Sequence, residues 1–98
     1  NKEDSTAFKD AVKWTKKDNA VACQIWEGLS DRNPNHAPTQ YNVGLCAESG
    51  AGTRDTAPQQ TYSRTLALNP KHAMAQRGLE RISAGARSAR QMAAHEAD

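Results

Sequence analysis

With 98 residues, the chain has room for one domain around one core. An apolar share of 37%, much of the rest being Ala, Gln, Arg and Lys, argues against a parallel sheet, and apolar residues recurring from Phe8 to Ile82 argue against disorder. The 13 basic and 11 acidic residues leave a formal charge of +2, which demands no polyanionic partner, and no apolar run is long enough to span a bilayer.

In chain order, Ser5 can cap a first helix whose Phe8, Ala11, Val12 and Thr15 share one face. Lys16, Lys17, Asp18 and Asn19 form a polar turn. A second helix follows, with Val21, Ala22, Ile25, Trp26 and Leu29 at helical spacing. Pro38 sits in the first turn of a third helix, where its missing N–H costs nothing, and Tyr41, Val43, Leu45, Cys46 and Ala47 belong to that helix. The loop Ser49-Gly50-Ala51-Gly52-Thr53-Arg54-Asp55 ends it. Thr56, Pro58 and Gln59 then suggest a capping box opening a fourth helix, whose apolar side carries Tyr62, Thr65, Leu66 and Leu68. A fifth helix is expected from Lys71, with Ala75, Leu79, Ile82, Ala86 and Ala89 on one stripe and an Ala-rich far end that projects or frays. Asn1 is followed by no leader-like segment, so the chain reads as an excised domain or a processed form.

Two segments are near-copies. Asn33-Pro34-Asn35-His36-Ala37 and Asn69-Pro70-Lys71-His72-Ala73 agree at four of five positions, 36 residues apart. In the same register Gln40 meets Gln76 and Trp26 meets Tyr62. Each Pro disfavours helix at the residue before it, so each Asn-Pro marks a helix stop.

This pattern resembles the tetratricopeptide repeat, a helix-turn-helix unit of about 34 residues. The unit from Ala37 to Pro70 carries the likeness, in Tyr41-Asn42-Val43-Gly44-Leu45 and in Tyr62, Thr65, Leu66 and Asn69-Pro70. The preceding unit matches through Ala22, Trp26, Leu29 and Pro34. The resemblance, covering roughly Phe8 to Ile82, implies an all-α fold. It would be a right-handed stack of antiparallel helical hairpins, an α-solenoid of about five helices. The whole chain, 1–98, is then a single domain: helix pairs over 5–30 and 37–68, and a capping helix over 71–95. Two departures stand out: about two extra residues in the Gly50–Asp55 loop, and Pro58 where the family prefers a small helix-interior residue.

Cys23 and Cys46 lie on the second and third helices, which the first Asn-Pro bend folds back antiparallel. Each is about eleven residues from the bend, or roughly 16 Å along its helix. Two readings stay open: a disulfide adding about 3 kcal/mol, or two buried thiols acting as small hydrophobes. His36 and His72 sit a full repeat apart, as surface turn residues rather than ligands of one metal, and His95 has no visible partner. No nucleophile–base–orienter set or phosphate loop is apparent, so neither an enzyme nor a cofactor or metal is expected. Arg77, Arg81, Arg87 and Arg90 spread over the polar face of the last helix; without interleaved aromatics they read as a solvated face.

The family's groove-lining positions fall on Tyr41, Asn42, Leu45, Glu48 and Ser49 of the third helix. Thr6, Asp10, Lys13 and Trp14 of the first helix and Arg77 and Arg81 of the last complete the surface. Asn42 resembles the asparagine that some members use on a peptide backbone or carboxylate, but Met74 and Gly78 hold the places of the basic partners. The resemblance implies a non-enzymatic adaptor binding a protein or peptide partner during assembly of a larger complex. The alternatives are self-association through the last helix, giving a homo-oligomer, and an anionic surface met by the terminal arginines; nucleic acid is not favoured. The Asn33–Pro38 turn and the cysteine pair also resemble small repeat-bearing lipoproteins and envelope assembly factors of Gram-negative bacteria, which implies an extracytoplasmic, periplasmic location.

Overall fold

The structure, a computed structural model, describes residues 2–96, with side chains through residue 85. Its five helices are α1 (Lys2–Trp14), α2 (Asn19–Arg32), α3 (Ala37–Ser49), α4 (Pro58–Leu68) and α5 (Ala73–Glu96). Among the described residues there is no strand. Each helix packs on the next in the chain, and α3 also meets α5. The all-α fold and the five helices expected from the sequence are present. No described helix is long and apolar enough to cross a membrane.

Helix α3 starts at Ala37 with Pro38 in its first turn, as expected, whereas the starts of α1, α4 and α5 depart from expectation. Helix α1 begins at Lys2, with Glu3 and Asp4 in its first turn, so Ser5 lies inside the helix and caps nothing. Its buried stripe is also narrower than expected. Ala11 is buried and Phe8 half-buried, but Thr15 is exposed and Val12 is 47% exposed. One residue turns a helix by about 100°, and Val12 lies on the flank of α1 beyond its contact with α2. Asp18 caps α2, its Oδ1 accepting from the Ala20 N–H at 3.1 Å. On α2, Ala22, Cys23, Trp26 and Leu29 are buried, and Phe8 meets the Trp26 ring edge-on at 4.8 Å.

The two Asn-Pro bends are built alike. Asn33 N donates to Leu29 O and Asn69 N to Thr65 O, both at 2.8 Å. His36 N donates to Asn33 O at 3.2 Å, and His72 N to Asn69 O at 3.1 Å. The Gln40 amide reaches Pro34 O at 3.0 Å, and that of Gln76 reaches Pro70 O at 3.1 Å. Trp26 and Tyr62, paired by the repeat, are both buried.

Helix α3 ends at Gly50, whose φ of 78° is left-handed. The capping box expected at Thr56–Gln59 does not form: Ala57 occupies the cap with no side-chain bond, and Pro58 opens α4. Leu68, expected on the apolar side, is 37% exposed, because the helix ends there and the chain turns at Asn69. Helix α5 starts at Ala73 rather than Lys71. Asn69 Oδ1 accepts from Lys71 N and His72 Nδ1 from Ala75 N, both at 3.2 Å, so the turn extends through His72. Ala75 is buried, and Leu79 and Ile82 are half-buried. The side chains of Ala86, Arg87, Ala89, Arg90 and His95 lie outside the described ones. Cys23 and Cys46 are joined by a disulfide with a Cα–Cα distance of 5.7 Å, tying α2 to α3 inside the core.

Candidate functional site

Of the residues singled out on α3 and α5, Tyr41, Glu48 and Arg81 meet around Tyr62. Its ring is buried between two helix glycines: a Cβ on Gly44 would fall 2.6 Å from one ring edge, and a Cβ on Gly78 2.6 Å from the other. Only residues without a Cβ let the ring lie this close to both helix backbones. The Tyr62 hydroxyl donates to Glu48 Oε1 at 2.5 Å. Arg81 closes a fork on the same carboxylate, with Nε to Oε2 at 3.0 Å and Nη2 to Oε1 at 2.9 Å. The Arg81 and Tyr62 hydrogen bonds hold the Glu48 carboxyl below its usual range. Burial and the Glu48 charge push the Tyr62 hydroxyl well above its ordinary value, so it stays a donor.

Glu48 and Arg81 therefore form a strut between α3 and α5. Tyr41 is half-buried, with its ring 4.9 Å from His72 and 5.9 Å from Tyr62. The Asn42 amide donates to Pro38 O at 2.8 Å within its own helix, and Leu45 is half-buried beside it. Arg77 is exposed one turn before Arg81, and Ser49 bonds back to Cys46 O at 3.2 Å. Lys13 and Trp14 stand at the C-terminal end of α1, outside this network. Trp14 is 38% exposed, with the Lys17 ammonium 5.9 Å from its ring centroid. Thr6 and Asp10 are exposed on α1.

Two features have no counterpart in the sequence reading. A cleft of about 720 Å³ opens between the N-terminal half of α1 and the bend joining α2 to α3. Helix α1 lines it with Asp4, Ser5, Phe8 and Lys9, and α3 contributes Pro38 and Thr39. The His36 ring stands edge-on to Phe8 at 5.7 Å, with its Nδ1 2.7 Å from Thr39 Oγ1. The second feature is a clasp between the long loop and α2. The buried Glu27 carboxylate accepts from Thr53 Oγ1 at 2.8 Å, Thr53 N at 3.3 Å and Arg54 N at 3.2 Å. Arg54 then forks onto Asp31 at 2.7 and 2.6 Å. Thr53 and Arg54 thus tie the loop to α2. A charged residue beside the loop glycines was the available signal, but its partners lie 23 to 27 residues away in sequence.

Among the described residues no group of His, Cys, Asp and Glu is arranged to hold a metal ion. Comparison with family models, curated proteins and solved structures finds no match to this chain.

Proposed function

We propose that this chain is a helical-repeat interaction module of the tetratricopeptide type, binding a segment of a partner protein along the first helices of its hairpins. The observation that carries the proposal is the recurrence, 36 residues apart, of the same bend with the same hydrogen bonds at Asn33–Gln40 and Asn69–Gln76. Equivalent bends give equivalent helix pairs, and pairs stacked in register leave α1, α3 and α5 along one surface. The right-handed stack belongs to the same proposal. Tyr41, Asn42, Leu45 and Arg77 offer a partner one half-exposed aromatic, an amide, an apolar patch and a cation.

The test is capture of partners by the wild type and by a Lys13→Glu/Arg77→Glu variant, whose changes are exposed and leave the core intact. The captured protein is then purified and titrated against both. Loss of affinity in the variant supports the groove, and equal binding by both rules it out. Light scattering over a concentration series separates binding of another protein from self-association.

A further inference from the structure

We infer that the cleft between α1 and the α2–α3 bend is itself a binding site, for an acidic protein segment carrying one large apolar side chain. The inference rests on the interaction-module reading and deepens it, naming where the segment docks and what chemistry it has.

Size, lining and charge lead to the same ligand class. At about 720 Å³ the cleft falls within the size range of ligand pockets and has room for a side chain and its flanking backbone. Phe8, Leu29, Pro34 and Pro38 give it apolar walls. Leu29 is buried, and Phe8 is braced by Trp26 and His36, so the walls are preformed. An apolar anchor displacing water here gains transfer free energy with little ordering cost in the receptor.

The rim is cationic. Lys9 and Arg32 face the cleft against one carboxylate, Asp4. That carboxylate already accepts from Arg32 Nε at 3.0 Å and Asn33 Nδ2 at 2.8 Å. These bonds keep it ionised and matched to Arg32. Lys9 is exposed and makes no ion pair among the described residues. An acidic residue beside the apolar anchor would meet the Lys9 ammonium, whereas a basic one would be repelled.

The cleft is also held by the disulfide. Its walls from Leu29 to Thr39 lie between Cys23 and Cys46, so the covalent loop fixes the bend on which they stand.

The test applies an array of random short peptides to the oxidised 98-residue chain. The groove variant Lys13→Glu/Arg77→Glu and two cleft variants accompany it, each checked by circular dichroism and melting. Lys9→Glu reverses the rim charge, and Ser5→Trp plugs the mouth without changing charge. The retained peptides are expected to carry Asp or Glu beside a single Leu, Ile, Phe or Trp. Lys9→Glu should weaken them by about tenfold or more and turn the preference toward basic peptides. Ser5→Trp should abolish binding of both kinds. A retained set without acidic bias, or acidic peptides that bind both cleft variants unchanged, overturns the inference. Peptides lost by Lys13→Glu/Arg77→Glu but kept by the cleft variants place the site on the groove alone; the cleft then fails while the module reading stands. An array that retains nothing overturns the cleft inference and leaves the module reading to the capture experiment.

Discussion

Tyr62 shows how one side chain can set the spacing of three helices. Its ring is fully buried, its edges press on the backbones at Gly44 and Gly78, and its hydroxyl is pinned to Glu48, so it cannot swing aside. Gly44→Ala is therefore expected to destabilise by about 1–3 kcal/mol, the usual cost of forcing extra volume into a packed site. Gly85→Ala, with nothing within 4 Å, should instead stabilise by about 0.5–1 kcal/mol through helix propensity. Urea denaturation measures both; a neutral Gly44→Ala would mean that the ring has room. Glu27 gives a second case. Its buried carboxylate satisfies three donors of the loop, and Glu27→Ala should cost roughly 1–3 kcal/mol by orphaning them. Hydrogen exchange at the Thr53 and Arg54 amides should speed up with it. At this scale the sequence was partly legible. Trp26 and Tyr62 could be paired by the repeat, because equivalent packing demands equivalent bulk. The Gly44–Tyr62–Gly78 wedge could not, since the two glycines are not repeat equivalents.

At the scale of elements, helix ends were read better than helix beginnings. Asn33-Pro34 and Asn69-Pro70 stop α2 and α4 because proline acts on the local backbone, which sequence reports directly. Starts depend on which side chain wins the cap. Ser5 and Thr56 lost that competition, to a longer first turn and to Ala57, and the extended Asn69–His72 turn moved the start of α5 from Lys71 to Ala73. The two bends also differ in setting. Gln40 is 1% exposed and bonds Ser30 Oγ at 2.8 Å as well as Pro34 O, whereas Gln76 is exposed and bonds Pro70 O. Gln40→Ala should therefore cost about 2 kcal/mol or more, from the cavity together with the orphaned partners. Gln76→Ala should stay within about 0.5 kcal/mol. Equal losses at both sites would show that hydrogen bonding, not burial, sets the strength of each bend. The Val12 and Thr15 misassignments arise at this scale too. Helical periodicity marks an apolar side, but only the neighbouring helix decides how wide a stripe it covers.

Among the described residues of the whole molecule, three carboxylates form ion pairs between separate elements: Asp4 to Arg32 on α2, Asp31 to Arg54 of the loop, and Glu48 to Arg81 on α5. Hydrogen bonds from their partners hold all three below the ordinary values of 3.8 for Asp and 4.5 for Glu. A carboxyl lowered in the folded state adds stability above its unfolded value and loses it as pH falls through its folded one. The urea midpoint should thus hold level above about pH 5 and decline below 4.5, less steeply in Glu48→Gln and, because these pairs are exposed, less steeply in high salt. The disulfide acts differently, through the unfolded chain. It joins two cysteines 23 residues apart in sequence, across the first bend, and closing such a loop stabilises by about 3 kcal/mol. For a domain of 98 residues that corresponds to roughly 10–20 °C in melting temperature. Reduction, or the Cys23→Ala/Cys46→Ala variant, should lower the melting point by that amount while leaving helix content at low temperature unchanged, since both sites accept small apolar groups. The shift should be the same near neutral pH and at pH 5, because a disulfide does not titrate and the three ion pairs remain charged over that range. A reduced protein melting within a few degrees of the oxidised one would place the stability in the helix packing around Trp26 and Tyr62 instead of in the cross-link.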